Sequence, residues 1–516
     1  MIGRGKKSLR QLAALVNRSK SSVHRHIKAQ ALRNQHPESA LWETEAGEAW
    51  LKLLVVSTLL TFGMECHVGV DKLAKFFKQI RIDTHVGVSP SALGHQLNRM
   101  ENLLPLFQKL CENCASAQLR PAIVAMDETF FGKCIILVLM DLSSGYLILE
   151  DISHDRRFDT WFEKAIPRLE ALGLDVNHAI SDRAKALIKL AVTGFECQSG
   201  ADLFHAQKDV SQWLGATLGR RHEKAKVQLE TAEEMSQKNL NSLPELVQLV
   251  DAENTYKQIQ EVKADYHENM AGISDEVHPY SLQTQQPNRS EQVISGLEQR
   301  AQAFEKIALS QTIADSKLTM NKFRNQFNDL ATNVDAWWLW VMEILVGLSV
   351  DEATQYWLIH TLLPTVYWYQ QQHKTQNPKQ REKYYQAWQR AAKALQADAF
   401  TATLPEDELQ RWLEWAEWMV GHFHRSSSAV EGRNGYLSQM YHNGRGLTVK
   451  RLRALTVIHN YGLKRADGTT AATRLFGREF PDLFSWLVAE MDELPLPRKA
   501  RKRIEHNPLI VEGVPA

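Results

Sequence analysis

The sequence predicts an α/β core, a mixed five-stranded sheet, split by a large all-α insertion and preceded by a helix-turn-helix region. Three observations predict it. Residues 121–153 hold three successive strand-like runs with two more beyond them, residues 211–420 read as long helices, and residues 8–29 read as two short basic helices around a break.

The first run, Ala122–Asp127, is short and uniformly apolar up to its final acid, the pattern of a central strand buried on both faces. Cys134–Asp141 is the second, a Ser-Ser-Gly turn follows, and Tyr146–Asp151 is the third. Phe158–Leu172 has helical apolar spacing. Val176–Ser181 is a fourth strand, Asp182 opens a helix, and Ala201–Phe204 is a short fifth strand before His205. An aspartate where a buried strand leaves its sheet is costly unless hydrated, hydrogen-bonded or metal-bound. Asp127 is that residue.

At 516 residues the chain has room for about two to four domains. The net charge of +1 conceals a segregation: residues 1–33 hold nine Lys/Arg and no Asp or Glu, and Arg498–Arg503 is a second basic cluster. Segregated positive charge points to a polyanionic partner. Five cysteines are too few for a disulfide framework and suit a reducing compartment. Cys111-Glu-Asn-Cys114 has zinc-like spacing but no second pair, so two helix-borne thiols are the plainer reading. The N-terminus lacks the apolar core of a signal peptide, and Leu53–Phe62 is too short to span a bilayer. A soluble, cytoplasmic, nucleoid-associated protein without a membrane partner is expected.

In the first helical pair, Leu9, Leu12, Ala13 and Val16 give an apolar face and Asn17-Arg18 the turn. Ser19 or Ser21 caps a second helix that buries Val23 and Ile27. As a helix-turn-helix, the second helix would present Lys20, Ser21, Ser22, His24, Arg25 and Lys28 to the major groove and flanking phosphates of double-stranded DNA. A solvated basic hairpin is the bland alternative. Val70–Phe77 and Ser91–Met100, around Val86-Gly-Val-Ser-Pro, form a second pair suited equally to DNA contact or to packing.

Within the insertion, Ile273–Arg289 is polar, holds two prolines and reads as a mobile loop. Nine of the fourteen tryptophans lie between Trp337 and Trp418. Trp337, Trp338, Trp340, Trp357 and Trp368 read as helical core, with stacking on an unpaired base as the alternative for one of them. A helix starting near Ser427 then places Ser428, Glu431, Asn434 or Gly435, and Ser438 along one face. The predicted divisions are 1–35 (helix-turn-helix), 36–120 (helical), 121–210 (core, first part), 211–420 (insertion), 421–470 (core, final helix) and 471–516 (basic tail).

The order β-β-β-α-β-α-β is that of an RNase H-like core. With it, strand-borne Asp127, Ser181-Asp182 and Ser428-Ala-Val-Glu431-Gly-Arg-Asn resemble the catalytic triad of DDE-type transposases of bacterial insertion sequences. The resemblance covers residues 121–210 and 422–461. It implies that strands one and four lie side by side and parallel, so that Asp127 and Asp182 emerge together. It also implies two Mg²⁺ (or Mn²⁺) ions, bridged by Asp127 and held singly by Asp182 and Glu431. Such ions, about 4 Å apart, generate a nucleophile at neutral pH and stabilise the leaving oxygen, and hard carboxylate oxygens are their natural ligands. Water and then a freed 3′-hydroxyl would attack, on element ends and target DNA held by a homodimer or larger assembly. Some relatives carry Lys or Arg two helical turns after the glutamate, where this chain has Ser438; Arg433 or Arg425 is the substitute. Arg183, Lys185, Arg425 and Arg433 are candidate phosphate clamps, and His205 and Asn434 are accessory candidates.

Each acid also has a plainer reading. Asp182 suits a helix N-cap, Ser428-x-x-Glu431 matches a capping box, and Asp127 suits a solvated strand end with Glu128 or Asp141 as the real ligand. Two other functions use the same features. An RNase H-like nuclease without strand transfer needs the same acids, whereas a non-catalytic helix-turn-helix regulator derived from a transposase needs none of them.

Overall fold

Five strands, β1 (Arg120–Phe131), β2 (Cys134–Asp141), β3 (Leu147–Ser153), β4 (Leu174–Ser181) and β5 (Gln198–Ala201), form one mixed sheet in the order β3-β2-β1-β4-β5. The computed structural model describes residues 8–33, 41–42, 44–115, 118–132, 134–238, 242–314, 316–444 and 446–497; the expected basic cluster Arg498–Arg503 lies outside them. Two compact units divide the chain. One comprises Met1–Leu110, Gln439–Gly462 and Pro481–Ala516, the other Cys111–Ser438 and Leu463–Phe480.

In the larger unit, β1 is central, antiparallel to β2 and parallel to β4, as expected. Ala122 to Met126 are wholly buried, which explains the unbroken apolar run. The Phe158–Leu172 helix buries Trp161, Ala165, Leu169 and Leu172 and ends on Gly173, whose φ of 62° closes the helix in the left-handed conformation. β5 differs from expectation. It ends at Ala201 because Asp202 caps a helix, Leu203–Val210, by accepting from the Phe204 N–H at 3.1 Å. His205 is therefore helical.

The insertion is helical throughout its described length apart from short connections. Ala216–Lys238 and Leu243–Glu276 pair, and Ser290–Ser310, Phe327–Gly347, Leu363–Lys374, Pro378–Ala397 and Glu406–Gly421 follow. All five tryptophans expected in its core are buried. The Phe327–Gly347 helix packs on β5, where Asn333 Oδ1 accepts from His178 Nε2 at 2.8 Å and its Nδ2 donates to the Ala201 carbonyl at 2.9 Å. A Cβ on Gly200 would lie 1.9 Å from the Asn333 side chain, so only glycine permits that approach. The expected loop at Ile273–Arg289 is instead packed. Helix runs to Glu276, and Ile273, Val277, His278 and Tyr280 are fully buried. His278 lies between the hydroxyls of Tyr367 and Tyr384, which satisfies polar groups that a sequence reading leaves unpartnered.

In the smaller unit, Leu9–Leu15 and Lys20–Arg33 form the expected hairpin. Asn17 turns at φ 46° and the Ser19 hydroxyl accepts from the Ser22 N–H at 3.1 Å. Val23 is buried, but Ile27 is 41% exposed, contrary to expectation. Lys20, Ser21, His24, Arg25 and Lys28 are exposed and Ser22 is half-buried. The Val86–Val88 loop is buried against residues 495–496, which favours its packing role. Glu45–Thr58 continues through a π-helical turn to Glu65. That stretch of 21 residues is long and apolar enough to cross a membrane by length and composition, longer than the ten-residue run read from sequence. Leu51, Val55, Val56, Leu59 and Met64 are buried within the protein, as in the core helix of a soluble domain.

Candidate active site

Pairing between β1 and β4 ends at Met126↔Ser181, while β1 continues beside β2 through Phe131. Asp127 and Asp182 are the next residues on the two strands. Asp127 therefore stands where β1 loses one of its neighbours, inside the strand and not at its end. It is 6% exposed, whereas Asp182 is exposed.

The Ser428–Gly444 helix brings the remaining groups. Asn434 donates from Nδ2 to Asp127 Oδ2 at 2.6 Å, and the Glu128 N–H donates to Asp127 Oδ1 at 2.8 Å. Glu431, one turn before Asn434, is half-buried, and its carboxylate lies 3.5 Å from His205 Nε2. Burial pushes the Asp127 carboxyl up to about 6, and the nearby charges of Glu431 and Asp182 add to that, against the Glu128 N–H and His205.

A sheet-to-helix lock fixes this arrangement. Asp127, Val138 and Glu150 are register neighbours across β1, β2 and β3. Asn434 meets the first and Arg433 the last, by two bonds of 2.7 Å to Glu150 with both side chains buried. Arg433 is thus no phosphate clamp. Its guanidinium is consumed by a buried, bidentate carboxylate.

Two other expected clamps are likewise internal. Arg183, at φ 71°, bonds Ser199 and pairs with Asp329 at 2.9 Å. Arg425 donates to the carbonyls of Ser274 and Val277 at the end of the Leu243–Glu276 helix. Lys185 is exposed.

Sequence reasoning missed Asp202. Fully shielded from solvent at its side chain, it accepts from His205 Nδ1 at 2.6 Å and from the Ser427 N–H and hydroxyl at 2.9 and 2.6 Å. Burial alone would raise its carboxyl, but those hydrogen bonds hold it below the ordinary value. The Asp202 bond raises His205 in turn. The available signal was spacing: Asp202 and His205 are three apart at a helix start.

The plainer readings fare unevenly. Asp182 accepts from the Ala184 N–H at 2.9 Å, so it does shape the turn into the Lys185–Lys189 helix. The capping box does not form. Ser427 precedes the helix, its carbonyl accepting from Val430 and Glu431, which places Glu431 one residue past the box position. Glu128 serves Trp161 and Arg156, and Asp141 is bound by Ser144, so neither joins Asp127. Cys111 and Cys114 are free, and burial pushes the Cys111 thiol up to about 12.

Carboxylates of Asp127, Asp182 and Glu431 are hard oxygen donors of the kind a Mg²⁺ ion takes. Among the described residues, no group of three or more His, Cys, Asp or Glu is drawn together closely enough to hold an ion. Asn434 Oδ1, buried beside Asp127, has no hydrogen-bond partner among the described residues. The profile of a family of unknown function (DUF6399) matches residues 358–503, a span with Glu431 and Asn434 but neither Asp127 nor Asp182. None of the curated proteins compared is similar to this chain.

Proposed function

We propose that this protein is a DDE-type transposase with an RNase H-like core, cutting and joining DNA at the ends of a mobile element. The observation that carries the reading is the order of the acids on the fold: Asp127 on β1, Asp182 just past the end of the parallel β4, and Glu431 on a late helix whose Asn434 bonds Asp127. A carboxyl that burial, helped by its acidic neighbours, pushes up to about 6 favours a cationic guest. Asp127, Asp182 and Glu431 would hold Mg²⁺ or Mn²⁺, which when bound activates a nucleophile and stabilises the leaving oxygen. Asn434 holds the Asp127 carboxylate in one orientation. Asp202 fixes His205 so that its Nε2 faces Glu431. Lys185 and the exposed Lys20, Arg25 and Lys28 offer charge to phosphates, with His24 exposed beside them. Double-stranded DNA is the proposed partner, and two ends held together call for at least two copies of the chain.

The test is cleavage of supercoiled plasmid carrying the element's ends, with Mg²⁺ or Mn²⁺. Asp127→Ala, Asp182→Ala and Glu431→Ala should each lower cleavage on the order of 10²–10³-fold, the scale of removing one electrostatic stabiliser, while DNA binding persists. Joining of cut ends to new DNA separates transposase from plain nuclease. Wild-type binding without cutting would replace the reading with a regulator.

A further inference from the structure

A second cavity of about 320 Å³ lies in the same unit, lined by Arg120, Asp141, Ser143, Trp418, Gly421, His422 and Arg474 among others. It sits around the far end of the β1–β2 pair. Asp141 is opposite Val124, three register steps from Asp127, and Arg120 begins β1. The volume is at the lower end of the ~300–1,000 Å³ of small-ligand clefts.

Its charges are set for a guest. Arg120 spends its guanidinium on the carbonyls of Gln118 and Ala115 and lies over the Phe476 ring at 5.4 Å. Arg474 donates to the Ser144 and Thr469 carbonyls. Neither arginine forms a direct ion pair with a carboxylate among the described residues, although the Asp467 carboxylate lies near enough to act on Arg474. Arg465 brings its guanidinium to within 3.6 Å of a Cβ built on Gly145, and Arg474 to within 3.8 Å, so two cations share one turn. Burial and Arg465 together lower Arg474 to about 10.

Opposite the cations stands an unused acceptor. Asp141 is 2% exposed; its Oδ2 takes the Ser144 N–H and hydroxyl, the Ile123 N–H also favours the charged carboxylate, and Oδ1 makes no direct hydrogen bond among the described residues. A buried carboxylate oxygen without a donor is costly in a purely structural role. Trp418, 41% exposed, forms an aromatic wall whose ring packs 4.8 Å from His422. Trp337, Trp338, Trp340, Trp357 and Trp368 are buried, so Trp418 offers the indole face that they cannot.

We propose that this cavity binds one nucleotide, with the base on Trp418, the phosphate on Arg474 and Arg120, and a hydroxyl or amino group donating to Asp141 Oδ1. Every base has a face that stacks on indole, and arginines without a direct carboxylate pair suit phosphate. The nucleotide is either free or one unpaired residue of a strand; the chemistry is the same.

The experiment uses the full chain in EDTA, so that no divalent ion draws phosphate to Asp127. Adenosine 5′-monophosphate, adenosine, inorganic phosphate and a short oligothymidylate are titrated by calorimetry. Adenosine 5′-monophosphate should bind saturably and at least about tenfold more tightly than adenosine or phosphate. Arg474→Gln and Trp418→Ala should each weaken it by about tenfold or more, the scale of one charge-assisted bond or one stacked base. Asp127→Ala should leave it unchanged, which keeps this result separate from the cleavage test. Gly421→Leu, whose Cβ meets nothing within 4 Å, fills the cavity without disturbing Arg474 and guards against a misfolded Arg474 variant. If only the oligonucleotide binds, with the same sensitivities, the guest is a nucleotide of a strand. If neither binds, or if binding ignores Gly421→Leu in a folded protein, the proposal fails.

Discussion

Two buried aspartates, Asp127 and Asp141, lie three register steps apart on paired strands, and the fold treats them differently. Burial pushes both carboxyls up. Around Asp141 the neighbours oppose that rise: Ser144 donates from its hydroxyl and N–H, and His422 and the Ile123 N–H act in the same direction. Around Asp127 the two acids Glu431 and Asp182 reinforce it, against the Glu128 N–H and His205. Compensation is what a structural carboxylate needs. Repulsion left standing at Asp127 is the cost of assembling acids, and Asp141 carries no such charge repulsion.

The comparison breaks most completely if the helix carrying Glu431 and Asn434 comes off the sheet. Arg433→Ala removes the bidentate partner of the buried Glu150, and breaking such a pair from one side costs about 3–5 kcal/mol. Chemical denaturation should show that loss. Arg433→Met with Glu150→Leu should recover much of it, because two apolar partners replace the pair without an orphan charge. A loss near zero in the single variant would mean the lock does not hold the helix.

A smaller effect of opposite sign is expected at Asp127. Its folded value of about 6 exceeds the ordinary 3.8, so its contribution to stability is fully present below pH 3.8 and lost as pH rises through about 6. Asp127→Asn should therefore stabilise the protein near pH 8 by up to roughly 3 kcal/mol. The gain should vanish near pH 3.5. A carboxamide also keeps one acceptor for Asn434. Adding Mg²⁺ at pH 8 should raise the melting temperature of the wild type more than that of this variant. Stabilisation independent of pH would assign the gain to packing and remove the contrast with Asp141.

How these sites could be read from sequence follows from which residues act alone. The apolar run before Asp127 reports burial on both faces, so the central strand, its parallel neighbour and the meander were all legible. So was the i, i+3 relation that puts Glu431 and Asn434 on one helix face. The arginines were not. Arg433, Arg425 and Arg183 look like free phosphate clamps until Glu150, the Ser274 and Val277 carbonyls, and Asp329 are found beside them, and each partner is more than 140 residues away in sequence. The Ile273–Arg289 segment misled for the same reason: His278 is polar in sequence but is satisfied in the core by tyrosines 89 and 106 residues later.

The smallest expected effect refines the Asp127 end. Asp202 holds His205, and both partners move in the directions of an ion pair: the carboxyl is lowered and the imidazole raised. The imidazole's share of stability is present below the unfolded histidine value of about 6.5 and is lost as pH rises through the higher folded value. The carboxyl's share is present above 3.8 and is lost as pH falls through the lower folded value. His205→Ala should thus cost about 1 kcal/mol near pH 5.5, the net worth of one hydrogen bond, and less near pH 9. That slope can be checked by urea denaturation at the two pH values. It has the same sign as the wild-type loss from Asp127, so Asp127→Asn is the background in which to measure it cleanly. If His205→Ala costs the same at both pH values, Asp202 holds a neutral ring, and the positive charge that His205 directs toward Glu431 and Asp127 is absent.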